Sequence, residues 1–220
     1  MNGRESEMAK ALWFLMKPAL VMMGWLTGAY AVLALFCTLT AGNTFFFTYV
    51  QGFFLVFDII LGICAAQAIS GYAPLALSFG VTRRALRGAV AAFWVLLPLV
   101  CMVLDYLCNS VTARLFTEEG NRLFIQLVHY PLHVLGFKLL LCGAMLWLGT
   151  LEFSALHLGK RIAVILLMIV IYLQITVLMF VATLIPTTIL TVYSIALGVA
   201  AILFVGIALH RVGRLVITQV

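Results

Sequence analysis

Charge is what this 220-residue chain has least of: 9% of its residues are Asp, Glu, Lys or Arg, against about 25% in an ordinary soluble domain. With 65% hydrophobic residues and a mean hydropathy of +1.22, it lacks the polar surface that a soluble globule needs. A polytopic membrane protein is the class that remains. Asp and Lys are scarce, so neither a disordered chain nor a nucleic-acid-binding one is expected, despite a net charge of +6. That basic excess suits loops that face anionic lipid and protein partners.

Catalytic signatures are missing as well. There is no Gly-x-x-x-x-Gly-Lys-Ser/Thr phosphate loop, so the chain cannot be its own P-loop ATPase. Neither His-Glu-x-x-His nor Gly-x-Ser-x-Gly occurs, which leaves an intramembrane hydrolase without support. The five cysteines (Cys37, Cys64, Cys101, Cys108 and Cys142) lie in apolar stretches without metal-ligand spacing and read as small packing residues. We therefore expect no enzymatic activity, no cofactor and no metal. A cleavable signal peptide is not expected either, because Glu5 and Glu7 spoil a basic leader and no small-residue cleavage site follows.

What is present is apolar length. Six segments approach the roughly 20 residues that cross a bilayer as a helix: 19–41, 45–69, 89–110, 131–151, 162–184 and 188–209. Asn43, the Arg83/Arg84/Arg87 group, Glu118–Gly120, Lys160/Arg161 and Pro186 punctuate them. The expected fold is all-α, a single transmembrane domain of six helices. Placing Arg4, Lys10, Lys17, Arg83, Arg84, Arg87, Lys160, Arg161, Arg211 and Arg214 on one side leaves only Arg114 and Arg122 opposite. The positive-inside rule then puts both termini in the cytoplasm of a cell whose plasma membrane the chain crosses.

Two surface segments stand out beside the spans. Residues 6–17 read as an interfacial elbow helix, with Met8, Ala11, Leu12, Leu15 and Met16 near one face and Pro18 permitting a bend into the bilayer. The longest external segment is 112–130, whereas Leu184–Thr188 allows only a tight turn.

Ionisable groups inside a span are expensive and so mark sites. Asp58 shares a stripe with Gln51, Gly62 and Ala65, and reads either as a structural carboxylate or as part of a transport path. Asp105 and Lys138 fall at similar depth on consecutive antiparallel spans, so the spacing predicts an ion pair that stabilises helix packing. His129 and His133 are separated by Pro131, which argues against a shared metal face. Gly24-xxx-Gly28, with Ala31 on the same face, would permit a close helix contact, within the chain or at a dimer seam.

The polar island between the second and third spans, Gly71–Arg87, carries Ser78-Phe-Gly-Val-Thr-Arg-Arg84. This Ser-x-Gly-x-x-Arg-Arg pattern resembles the permease subunits of type-2 ATP-binding-cassette exporters, and the six-span layout with an elbow is similar to theirs. The motif covers about ten residues, while the topology covers the chain. The resemblance implies a coupling helix over 71–87 that docks on a separate ATPase through Ser78, Gly80, Thr82, Arg83, Arg84 and Arg87, with Lys160 and Arg161 as a lesser contact. It also implies a second permease subunit, identical or not, and export of an unspecified cargo. Two other classes fit the same composition. One is the substrate-capturing subunit of an energy-coupling-factor importer, and the other is a membrane sensor or assembly protein whose island binds a cytoplasmic partner.

Overall fold

The computed structural model describes residues 3–40, 44–115, 131–151, 162, 165–166, 169 and 187–214. Among them the chain is helical throughout: α1 (Gly3–Leu39), α2 (Thr44–Gln67), a π-helical turn (Ala68–Tyr72), α3 (Ala73–Ser78), α4 (Arg83–Leu115), α5 (Pro131–Gly149) and α6 (Thr187–Val212). Backbone N–H and C=O groups find no partner in hydrocarbon, so an apolar chain that crosses it must bond them internally. Five of the described helices are long and apolar enough to cross a membrane: Glu5–Leu39, Leu55–Ser78, Arg83–Thr112, Pro131–Gly149 and Thr188–Val212. Most of the fifth expected span, 162–184, lies outside the described residues; Ile162, Ile165, Leu166 and Ile169 within it are exposed.

The expected elbow is not a separate element. Residues 6–17 belong to α1, which runs from Gly3 to Leu39 with Pro18 inside it. Proline removes one backbone hydrogen bond and crowds the preceding turn. Here the helix is held on both sides of that defect by a single buried stripe, Ala11, Leu15, Ala19 and Met23, which repeats every fourth residue as one helix face does.

The polar island also folds differently from a surface helix. The helix of α2 passes through the π turn, where the Ala73 N–H reaches the Ala68 carbonyl, and continues as α3 to Ser78. Pro74 explains the widened turn, since its ring would clash with the carbonyl four residues back and it has no N–H to give. The helix then stops abruptly. Gly80, at φ 84°, donates to the Leu77 carbonyl, and Val81 donates to the Ala76 carbonyl, both at 3.1 Å. That pair of bonds is a Schellman cap, in which the left-handed position favours glycine. Two residues later α4 starts, with the Thr82 hydroxyl accepting the Ala85 N–H at 3.3 Å and the Thr82 carbonyl accepting the Leu86 N–H at 2.9 Å, an N-cap.

Helix α5 sits at the centre, packed by α2, α4 and α6 and buried over Gly136, Phe137, Lys138 and the run Leu140–Ala144. Residue pairing gives the directions. Met8 meets Gly88 and Tyr30 meets Cys108, so α1 and α4 run parallel. Gly136 meets Ser194, and Gly143 meets Ala201, so α5 and α6 also run parallel. The chain therefore leaves α5 at one end of the bundle and enters α6 at the other. Glu7 accepts a hydrogen bond from Thr82 and Arg87 lies against Gly213, which gathers the start of α1, the 79–82 turn and the end of α6 at one end.

Close approach is built on glycines of α5. A Cβ at Gly143 would lie 3.1 Å from the Ala201 carbonyl oxygen and 3.1 Å from Val205 Cγ2. Gly24 and Gly28 instead meet nothing within 4 Å among the described residues. Gly143→Leu should push α6 off α5 and lower stability by about 1–3 kcal/mol, read as a reduced thermal midpoint in detergent. Gly24→Leu should stay within about 0.5 kcal/mol of wild type in the same measurement.

Candidate functional site

Only two aspartates occur in the 220 residues, and both converge on one lysine. Lys138, projecting from the central α5, is 2% exposed. Its ammonium donates to Asp58 Oδ1 of α2 at 2.5 Å and pairs with Asp105 Oδ2 of α4 at 2.6 Å. A third donor direction meets Cys101 Sγ at 3.4 Å, one helical turn before Asp105 on the same face. Asp58 and Asp105 are each 2% exposed. The Asp105–Lys138 pair follows the sequence expectation, and Asp58 joins it from the α2 face it shares with buried Ala65 and with Gly62, which lies against Met145 and Leu141 of α5. Of the cluster, the part that composition hid was Cys101, which reads from sequence as a packing residue and acts here as an acceptor.

The cluster forms because each alternative is worse. A lone Lys or Asp at the centre of a transmembrane helix costs about 2.5–3.5 kcal/mol on insertion scales. Ion pairing recovers that cost only when geometry is good and the remaining protons and lone pairs are used. All three ammonium protons have an acceptor. The two carboxylates, however, leave the trio one negative charge in excess, and Asp105 Oδ1 is buried with no hydrogen-bond partner among the described residues. One ligand atom each from Asp58, Cys101 and Asp105 lies within 4.8 Å of the others, yet the space between them holds the lysine ammonium. The arrangement is a built-in cation between anions, linking α2, α4 and α5.

At the gathered end of the bundle the island residues take distinct places. Ser78 donates to the Leu75 carbonyl at 2.7 Å, Gly80 and Thr82 are the caps described above, and Arg83, Arg84 and Arg87 are exposed. Phe79 is 74% exposed and meets Phe14 of α1 edge to face. Arg83 and Arg84 occupy the first two positions of α4, where the helix dipole disfavours cations by about 0.3–1 kcal/mol each. Neither makes an ion pair among the described residues. Lys160 and Arg161 lie outside the described residues. Gly24, Gly28 and Ala31 are exposed on α1. His133 meets Ser194 at 3.2 Å, a polar contact between α5 and α6.

No protein-family model, curated protein or solved structure matches the chain.

Lys138→Met should destabilise the protein by about 3–5 kcal/mol, because it strands two buried carboxylates. The triple variant Asp58→Asn/Lys138→Met/Asp105→Asn should recover most of that loss, since no charge is left unpaired. Unfolding of the two variants and wild type in graded detergent denaturant measures the difference.

Proposed function

We propose that the chain is the membrane-spanning subunit of an ATP-driven exporter, working beside a second permease subunit and energised by a separate ATPase that docks at the 71–87 segment. The observation that carries this reading is the placement of Arg83 and Arg84. They stand solvent-exposed at the start of α4, against the helix dipole and beside exposed Phe79. Residues that break a local stability rule without internal compensation point to a use outside the chain. An acidic, partly apolar cleft on a soluble partner would supply what the turn lacks.

The fold supplies a route for the push. Two caps fix the turn to α3 and α4, so force applied there enters α4 directly. Asp105 lies 22 residues along from Arg83, about 33 Å at 1.5 Å per residue, and is bonded to the central helix through Lys138. Movement at the turn is thereby felt at the α4–α5 contact. The basic residues at this end favour a cytoplasmic location under the positive-inside rule, with both termini on that side. The parallel course of α5 and α6 supports a further crossing between them, and so the six-span layout.

Co-purification from mild detergent tests the reading. Wild-type protein should bring down an ATPase that carries a P-loop, and Arg83→Glu/Arg84→Glu should weaken that association about 30-fold or more, the range expected for reversing charges in a buried contact. An undiminished association in the double variant, or no ATPase with wild type, removes the coupling proposal. High-affinity small-molecule binding by the isolated chain would favour a capture subunit instead.

A further inference from the structure

The trio at the bundle centre has one negative charge too many. Lys138 contributes one positive charge and spends its three protons on Asp58 Oδ1, Asp105 Oδ2 and Cys101 Sγ. None of the three remains for Asp105 Oδ1, which is buried and has no partner among the described residues. A net charge held this deep in apolar surroundings is far less tolerable than a neutral polar group there. Removing a proton from Lys138 would deepen the imbalance. A metal ion would have to displace the ammonium, which already stands among the three acceptors.

We propose that the cluster is a binding site for one exchangeable proton and that Asp105 carries it. A hydronium ion from the aqueous phase gives up one O–H bond as the new O–H bond forms at Oδ1, converting the carboxylate to a carboxyl and leaving water; Lys138 stays an ammonium, and the cluster becomes neutral. Asp58 keeps its charge and remains the counter-ion of Lys138. The helices packed around the site carry other titratable groups. On α4 itself these are Cys101 and Cys108, on α2 Cys64, and on α5 Cys142. From α1 comes Tyr30, whose hydroxyl is tied to the Cys108 carbonyl and to Thr112. At the α5–α6 contact are His133 of α5 and Tyr193 of α6, which lie against each other.

Protonation has a mechanical consequence. With Asp105 neutral, Lys138 holds α2 by an ion pair but α4 only by hydrogen bonds to two neutral groups, the Asp105 carboxyl and Cys101 Sγ. The contact between α4 and α5 loosens, while that between α2 and α5 does not. Because α4 packs along α1, the proton acts on the seam between the α1–α4 pair and the remaining helices. This inference stands apart from any partner at the basic turn.

The scarcity of aspartate makes the test direct. Full-length protein labelled with ¹³C at the aspartate side-chain carboxyl and placed in lipid bilayers should give two resonances, since the chain has two aspartates. Spectra are recorded from about pH 5 to about pH 9, because buried carboxyls titrate as high as about 8–9. The expected result is a single-proton shift of one resonance, with the other unchanged. Asp58→Glu removes the Asp58 signal while keeping a carboxylate there, and the moving resonance should remain. If that variant does not fold, Asp105→Glu should abolish the moving resonance instead. The proposal fails if neither resonance moves while the protein stays folded, or if the moving one belongs to Asp58. It also fails if the shift follows sodium concentration at fixed pH.

Discussion

Burying the Lys138 ammonium is the constraint on which the rest of the bundle depends. Leucine side chains pack against lipid tails as readily as against each other, so apolar area alone gives membrane helices little reason to choose a neighbour. A buried cation does give one. Lys138 lies on a helix covered on nearly every face, and the chain offers two aspartates, one on α2 and one on α4. Satisfying the lysine places α5 between those two helices and fixes their rotation. Any other pairing of these spans would leave a charge in hydrocarbon.

The side of α5 turned to α6 is organised on a different principle. There Gly136 and Gly143, two turns apart, bring the backbone of α6 within contact distance, and dispersion over a close-packed surface replaces charge as the cohesive force. Trp94 of α4 bridges the two regions by donating to the Leu139 carbonyl at 2.9 Å, the residue after Lys138. The central helix thus has a polar attachment toward α2 and α4 and a steric one toward α6. The first is the one that carries buried charge.

The sequence made the membrane class legible through composition, and the Asp105–Lys138 pair through depth. Counting depth from span ends misled for Asp58. It lies 13 residues past the start of its segment and Lys138 lies 7 past its own, a mismatch of about 9 Å at 1.5 Å per residue. Helix ends need not share a level, and α2 meets α5 further along its length. The close helix contacts among the described residues use glycines seven residues apart on α5, which fall on one face as a Gly-xxx-Gly pair does. Pro18 suggested a break that the buried stripe of α1 overrides.

The polar island is the most instructive case, because its motif divides under physical scrutiny. Ser78, Gly80 and Thr82 have complete local explanations. A hydroxyl satisfies a terminal carbonyl, a glycine takes a positive φ, and a threonine caps the next helix. Any hairpin joining two helices by a four-residue connection could use them, so those three positions say little about partners. Arg83 and Arg84 have no such explanation. Their position at the start of α4 opposes the dipole, and acids would serve that helix better. The proposed cytoplasmic placement of this end would account for basic residues somewhere on it, but not for their clustering at the one terminus where they weaken the fold. The functional information in the motif is therefore concentrated in the two arginines, and the docking proposal rests on them alone.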